Sequence, residues 1–271
     1  MSRIWVLVVG LSLAVAGWGR AQTLPDQDLF DRVLGAVVRD GLVDYAALAA
    51  HRTELDLYLD VLGRTSPADL DLVSRDERLA FWINAYNACV LRLVTDHYPI
   101  EEQGEVTTLR NQQAGIPANS VRQIPDALTR RFCRVAQRDR SLDGIEHGII
   151  RPLGEPRIHF VLHGGARGGP VLTDVAYRAD RLEEQFAAAV RRFVADTAQY
   201  VLMRGHPPVL RVSKILDWYK DDFGGTGGVV AFLRRFAPPA DAELLQPGQV
   251  RVEYEDYDWT LDDTAVVGTG R

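Results

Sequence analysis

The chain has 271 residues, 46% of them hydrophobic, with 37 acidic against 31 basic side chains and a formal net charge of −6. That length can bury one sizeable core. No basic cluster with interleaved aromatics stands out, which argues against nucleic-acid binding, and the acidic balance argues against docking on anionic lipid.

Arg3 opens the chain, an apolar run follows from Ile4 to Gly17, and Gly19-Arg20-Ala21 supplies small residues at the positions a signal peptidase reads. This is the pattern of a secretory signal peptide over residues 1–21. The run is short for a bilayer span, so the expectation is an exported chain, periplasmic or secreted, with no membrane span after cleavage. The two cysteines, Cys89 and Cys133, have two readings in such a compartment. Either they pair, which the loop-entropy model values at about 4 kcal/mol, or they pack as buried thiols.

Leu29, Val33 and Val37 have helical spacing, and Gly41 stops that helix. Leu55, Leu59 and Leu62 mark a second helix. The stretch "RLAFWINAYNACVLRLVTDHYP" predicts a long central helix ending before Pro99. In "SLDGIEHGIIRP", Ser141 is a helix N-cap and Asp143 lies in the first turn. The apolar run Arg157 to Leu162 predicts a buried strand. Leu182, Phe186, Ala189, Val190, Phe193 and Val194 form one face of the next helix, and two shorter helices end at Gly224 and Pro238. "VRVEYEDYDW" alternates as a strand. The sum is an α+β, mainly helical single domain with a small β-sheet over residues 24–263, followed by a disordered tail over 264–271.

Four stretches in this order carry a resemblance: "AFWINAYNA", "SLDGIEHGIIR", "PRIHFVL" with the glycine loop after it, and "SKILDWYKDDFGG" with "YDWTLDD". Together they resemble the domain of unknown function 547 family from about Val43 to Asp263. That family has no settled activity, so the resemblance implies a fold more firmly than a reaction. It also implies a cysteine directly after the Arg157–Leu162 run and a second one five residues later beside a proline. Here Gly164 and Gly169 stand at those positions, before Pro170. The loop has the shape of a site from which reactive or cross-linking atoms have been removed.

Several chemistries can be weighed on the residues that remain. Gly164 and Gly169 match the outer spacing of a phosphate loop, but Pro170 stands where its lysine belongs and offers no N–H. "HGGA" at 163–166 is similar to an esterase oxyanion loop, yet the chain has no G-x-S-x-G elbow. On a strand, His159 and His163 would lie about 13 Å apart, too far for one ion, so no metal and no cofactor is assigned. The acidic residues from Glu253 to Asp263 lack the spacing and the glycine of a calcium loop.

Glu146 and His159 are the candidate catalytic pair, because acid–base work needs no nucleophile on the protein. Asn84, Asn87, Arg157, His163, Gly164, Gly165, Arg167 and Gly169 are the candidate ligand-binding residues. The two asparagines sit three apart on an apolar helix, so they either tie down backbone or line a cleft. The glycines would let a ligand approach main-chain N–H groups closely. The favoured function is binding of a peptide or small ligand at this loop without a thiol nucleophile. The alternative is a hydrolase using Glu146 and His159.

Overall fold

The computed structural model describes residues 24–100 and 104–265. The expected signal peptide over 1–21 and the tail beyond Ala265 lie outside the described residues. The described part is α+β and mainly helical, with three small sheets.

The organising element is the helix Arg75–Thr95. Ser74 and Glu77 form a reciprocal capping box at its start, in which the Ser74 Oγ accepts the Glu77 amide at 3.2 Å and Glu77 accepts the Ser74 amide at 2.8 Å. From Leu79 onward the helix is buried on nearly all sides, and such an element must be surrounded rather than laid on a surface. Helices Gln27–Val37 and Thr53–Arg64 cover one side, and Leu182–Ala195 belongs to the same core cluster. That cluster runs from Phe30 to Leu261.

The sheets are peripheral. Two are hairpins, Val38–Arg39 with Leu42–Val43 and Cys133–Val135 with Arg138–Arg140. The third pairs Tyr200–Met203 antiparallel to Val209–Ser213, which pairs parallel to Arg251–Glu255. Among the described residues no helix is long and apolar enough to cross a membrane.

One expected strand is not one. Pro156–Phe160 forms a 3₁₀ helix, with Pro156 in its first turn and the Glu155 carboxylate accepting the Arg157 amide at 3.1 Å. A short apolar run has no period that separates a buried strand from a buried helical turn, and here the cap and the proline decide it. Upstream, the Ser141 Oγ accepts the Gly144 amide at 3.1 Å, as expected of an N-cap. The helix it starts widens into a π-turn at Glu146–Ile150, then tightens and ends at Gly154 in the left-handed region. Widened turns of this kind are frequent at functional sites.

Cys89 and Cys133 are joined by a disulfide with Cα atoms 5.8 Å apart, which decides between the two expectations for these residues. The bond ties the central helix to the hairpin at Cys133–Arg140. Changing both cysteines to serine should lower the unfolding free energy by about 2–4 kcal/mol, read as the shift of a urea midpoint. A midpoint that does not move would mean the hairpin is held by packing alone.

Candidate functional site

The segment after the 3₁₀ helix is fastened from both sides. Asn87 on the central helix donates to the Val161 carbonyl at 3.2 Å and accepts the His163 amide at 2.9 Å. Asn84 does the same for Tyr177, donating to its carbonyl and accepting its amide, both at 2.8 Å. Both asparagines are buried and hydrogen-bonded within the protein, to backbone and, for Asn84, also to Gln27 Oε1 at 2.9 Å, and neither lines the cleft described below.

On its other side the loop carries the C-terminal strap, residues 257–263. The Gly168 amide donates to the Asp258 carbonyl at 2.8 Å and the Arg167 amide to the Thr260 carbonyl at 2.9 Å. Asp262 accepts from the Tyr45 hydroxyl at 3.0 Å and lies 3.4 Å from the His163 Nε2. Asp263 accepts from the Tyr98 hydroxyl at 2.8 Å and pairs as a bridge with Val43. His163 is 0% exposed, an internal anchor for the strap and not a residue open to a ligand.

The bare backbone now has an explanation. A Cβ on Gly168 would stand 2.5 Å from the Asp258 amide nitrogen, an atom that cannot move aside. A Cβ on Gly169 would stand 2.5 Å from the Tyr257 hydroxyl, and one on Gly164 would stand 3.5 Å from the same oxygen. What lies against the Arg167 and Gly168 amides is the chain's own strap. Gly165 has φ +67 and faces Val121 and Val90, so it serves packing. Arg157 is held by Glu155 and Glu183 and covers the Phe186 ring at 4.9 Å. Arg167 has two guanidinium nitrogens buried without a partner. Of the eight residues expected to bind ligand, only Gly164 lines the cleft described next.

That cleft, about 440 Å³, opens between the π-turn, the glycine loop, the turn at Ile215–Tyr219 and the strap. Glu146 and His159 both line it, so the structure brings the two expected catalytic residues to one place. His159 Nε2 lies 2.7 Å from Asp222, and its ring stacks on Tyr219 with centroids 3.8 Å apart. Arg151 grips the same carboxylate with two bonds, at 2.8 and 2.6 Å, and reaches His147 at 3.2 Å. The Arg151 hydrogen bonds hold Asp222 below the usual carboxylate range. Asp222 is therefore ionised and accepts only, which places the His159 proton on Nε2.

Burial outweighs the Asp222 contact and lowers the His159 pKa to about 4. Burial also raises the Glu146 carboxyl, against the opposing hydrogen bond from Tyr219. Glu146 and His147 are sequence neighbours on the widened turn, and their side chains still come within 3.9 Å. Asp222 and Tyr257 are parts of the site that residue-type reasoning did not single out. Their sequence signal was weak, because each lies more than fifty residues from the Glu146–His159 segment and only chain folding delivers them.

Residues 70–194 match the model of a family described as a protein of unknown function, DUF547. The match takes in the central helix, the π-turn, the glycine loop and the helix after it. Tyr219, Asp222 and the strap lie outside it. No curated protein and no solved structure matches the chain. Among the described residues, no group of three His, Cys, Asp or Glu side chains could hold a metal ion.

Two outcomes follow. Gly168→Ala should cost about 1–3 kcal/mol and make the strap more protease-sensitive, because the new methyl meets strap backbone; unchanged melting and proteolysis would show that the strap does not rest on this residue. The second concerns pH. Folded His159 titrates near 4, below its ordinary 6.5, so between those values the unfolded chain binds a proton that the folded chain does not. Stability should therefore fall as pH drops through that window, and less so in His159→Asn. A His159 imidazole signal, assigned by its loss in His159→Asn, that titrates near 6.5 by NMR contradicts this assignment.

Proposed function

We propose that this protein is a binding module of the family to which residues 70–194 match, and that it takes a small ligand or peptide in the Glu146 cleft without thiol chemistry. One observation carries this reading: the Tyr257 hydroxyl fills the space in front of Gly164 and Gly169, where the resemblance implies cysteines. The loop is complete as it stands, closed by a phenol and not left open around an absent nucleophile. The cleft itself has the size and the mixture of aromatic walls with a few polar groups that small-ligand sites have.

Export through a signal peptide at 1–21 belongs to the same proposal, and the Cys89–Cys133 bond supports an oxidising destination. A second reading, hydrolysis by Glu146 and His159, draws support from the raised Glu146 carboxyl, which suits a general acid. Against it, the His159 nitrogen left to act as a base belongs to a ring whose pKa is near 4, a weak base at neutral pH.

A thermal-shift screen of small molecules and short peptides tests the choice. A cleft ligand at a hundred times its Kd should add about 2.7 kcal/mol of stability, and Glu146→Gln should reduce that gain. Steady turnover of an ester or amide that disappears in both Glu146→Gln and His159→Asn would establish the hydrolase instead. No stabilisation by any compound, with no turnover, would sink both readings.

A further inference from the structure

Beyond the presence of a ligand site, the walls of the cleft bear on what kind of molecule it accepts. Trp218, Tyr257 and Trp259 form a continuous aromatic surface, with ring centroids 5.1, 5.8 and 4.5 Å apart. Trp218 is 46% exposed, and it is the one tryptophan, tyrosine or phenylalanine in the exposed class among the described residues. An exposed indole at the mouth of a cleft is a large apolar face held out to solvent, while the other tryptophan, tyrosine and phenylalanine rings among the described residues are buried or half-buried. Such faces mark binding sites more often than they serve stability.

The same cleft is lined by Asp143, Glu146, His147 and Arg122. The two carboxyl groups and the guanidinium can each make paired hydrogen bonds to adjacent hydroxyls, and the His147 ring can add a single one. One guanidinium stands among two carboxyl groups, and burial biases one of these, Glu146, toward its neutral form. A strongly anionic ligand would meet two carboxyl groups. A strongly cationic one would meet Arg122, whose guanidinium already lies over the Trp259 ring at 4.8 Å. What fits is a neutral molecule with an apolar face to lie on the rings and a polar rim to meet the side chains.

A pyranose ring has that form. Its axial C–H bonds make a weakly positive apolar face for the negative face of an indole, and its equatorial hydroxyls form a rim of paired donors and acceptors. We infer that the ligand of this cleft is a neutral saccharide, stacked on Trp218 and the strap rings and hydrogen-bonded by Asp143, Glu146 and His147. This rests on the binding reading above and gives it a ligand class.

The test is a titration of the purified chain with short cello-, chito-, malto- and xylo-oligosaccharides, followed by tryptophan fluorescence and by calorimetry. At least one series should change the fluorescence and bind, and Trp218→Ala should weaken that binding about tenfold or more. Because Trp218 is an exposed side chain, its melting temperature should stay near that of the parent chain. A parallel titration with short neutral peptides separates the two levels of the proposal. Peptides that bind and lose affinity in Trp218→Ala, with no saccharide binding, overturn the saccharide class and leave the binding module standing. Saccharide binding that Trp218→Ala does not affect overturns this site. If neither class binds, the saccharide inference fails, and the binding-module reading is decided by the small-molecule thermal-shift screen.

Discussion

The constraint on which the site depends is the close approach of two backbones. The strap can lie on the loop only because Gly168 lacks a Cβ, which would otherwise come within 2.5 Å of the Asp258 nitrogen. That contact sets where Tyr257 and Trp259 stand, and they form one wall of the cleft. It is reinforced from below by buried polar groups, with Asn87 holding the loop to the central helix and Asp262 meeting His163 and Tyr45. Buried charge of this kind stabilises little in itself but is costly to break, so it fixes a single arrangement.

The electrostatics of the cleft follow from this enclosure. His159 is sealed between Tyr219 and Asp222, and desolvation makes its protonation unfavourable despite an adjacent carboxylate. The Asp222 charge is instead spent on Arg151, the better partner because its guanidinium binds in two places and does not lose its proton. Glu146 has no such cation gripping it, and burial pushes its carboxyl up.

Much of the chain's organisation was legible without coordinates. The helices at Gln27–Val37, Thr53–Arg64, Arg75–Thr95 and Leu182–Ala195 follow from apolar spacing, a local property of the chain, although the first ends at Val37, ahead of Gly41, where Val38–Arg39 enters a hairpin. So does the mainly helical α+β class. The Pro156–Phe160 segment shows the limit of that method: its apolar run fits a strand, and a capping carboxylate with a proline made it a 3₁₀ turn.

The candidate site divides in the same way. By itself, the sequence determined that Glu146 and His159 carry titratable groups in apolar surroundings and that the loop after His163 is bare of side chains, since residue type and local pattern are enough for that. Only the tertiary structure decided what the bareness is for. Whether a glycine waits for a ligand or makes room for the chain's own strap depends on a segment some ninety residues away. Asn84 and Asn87 were ambiguous for the same reason, because an amide on a helix can serve a backbone or a ligand until its partners are known. Those contacts arise from packing between distant segments, and no local period or spacing encodes them.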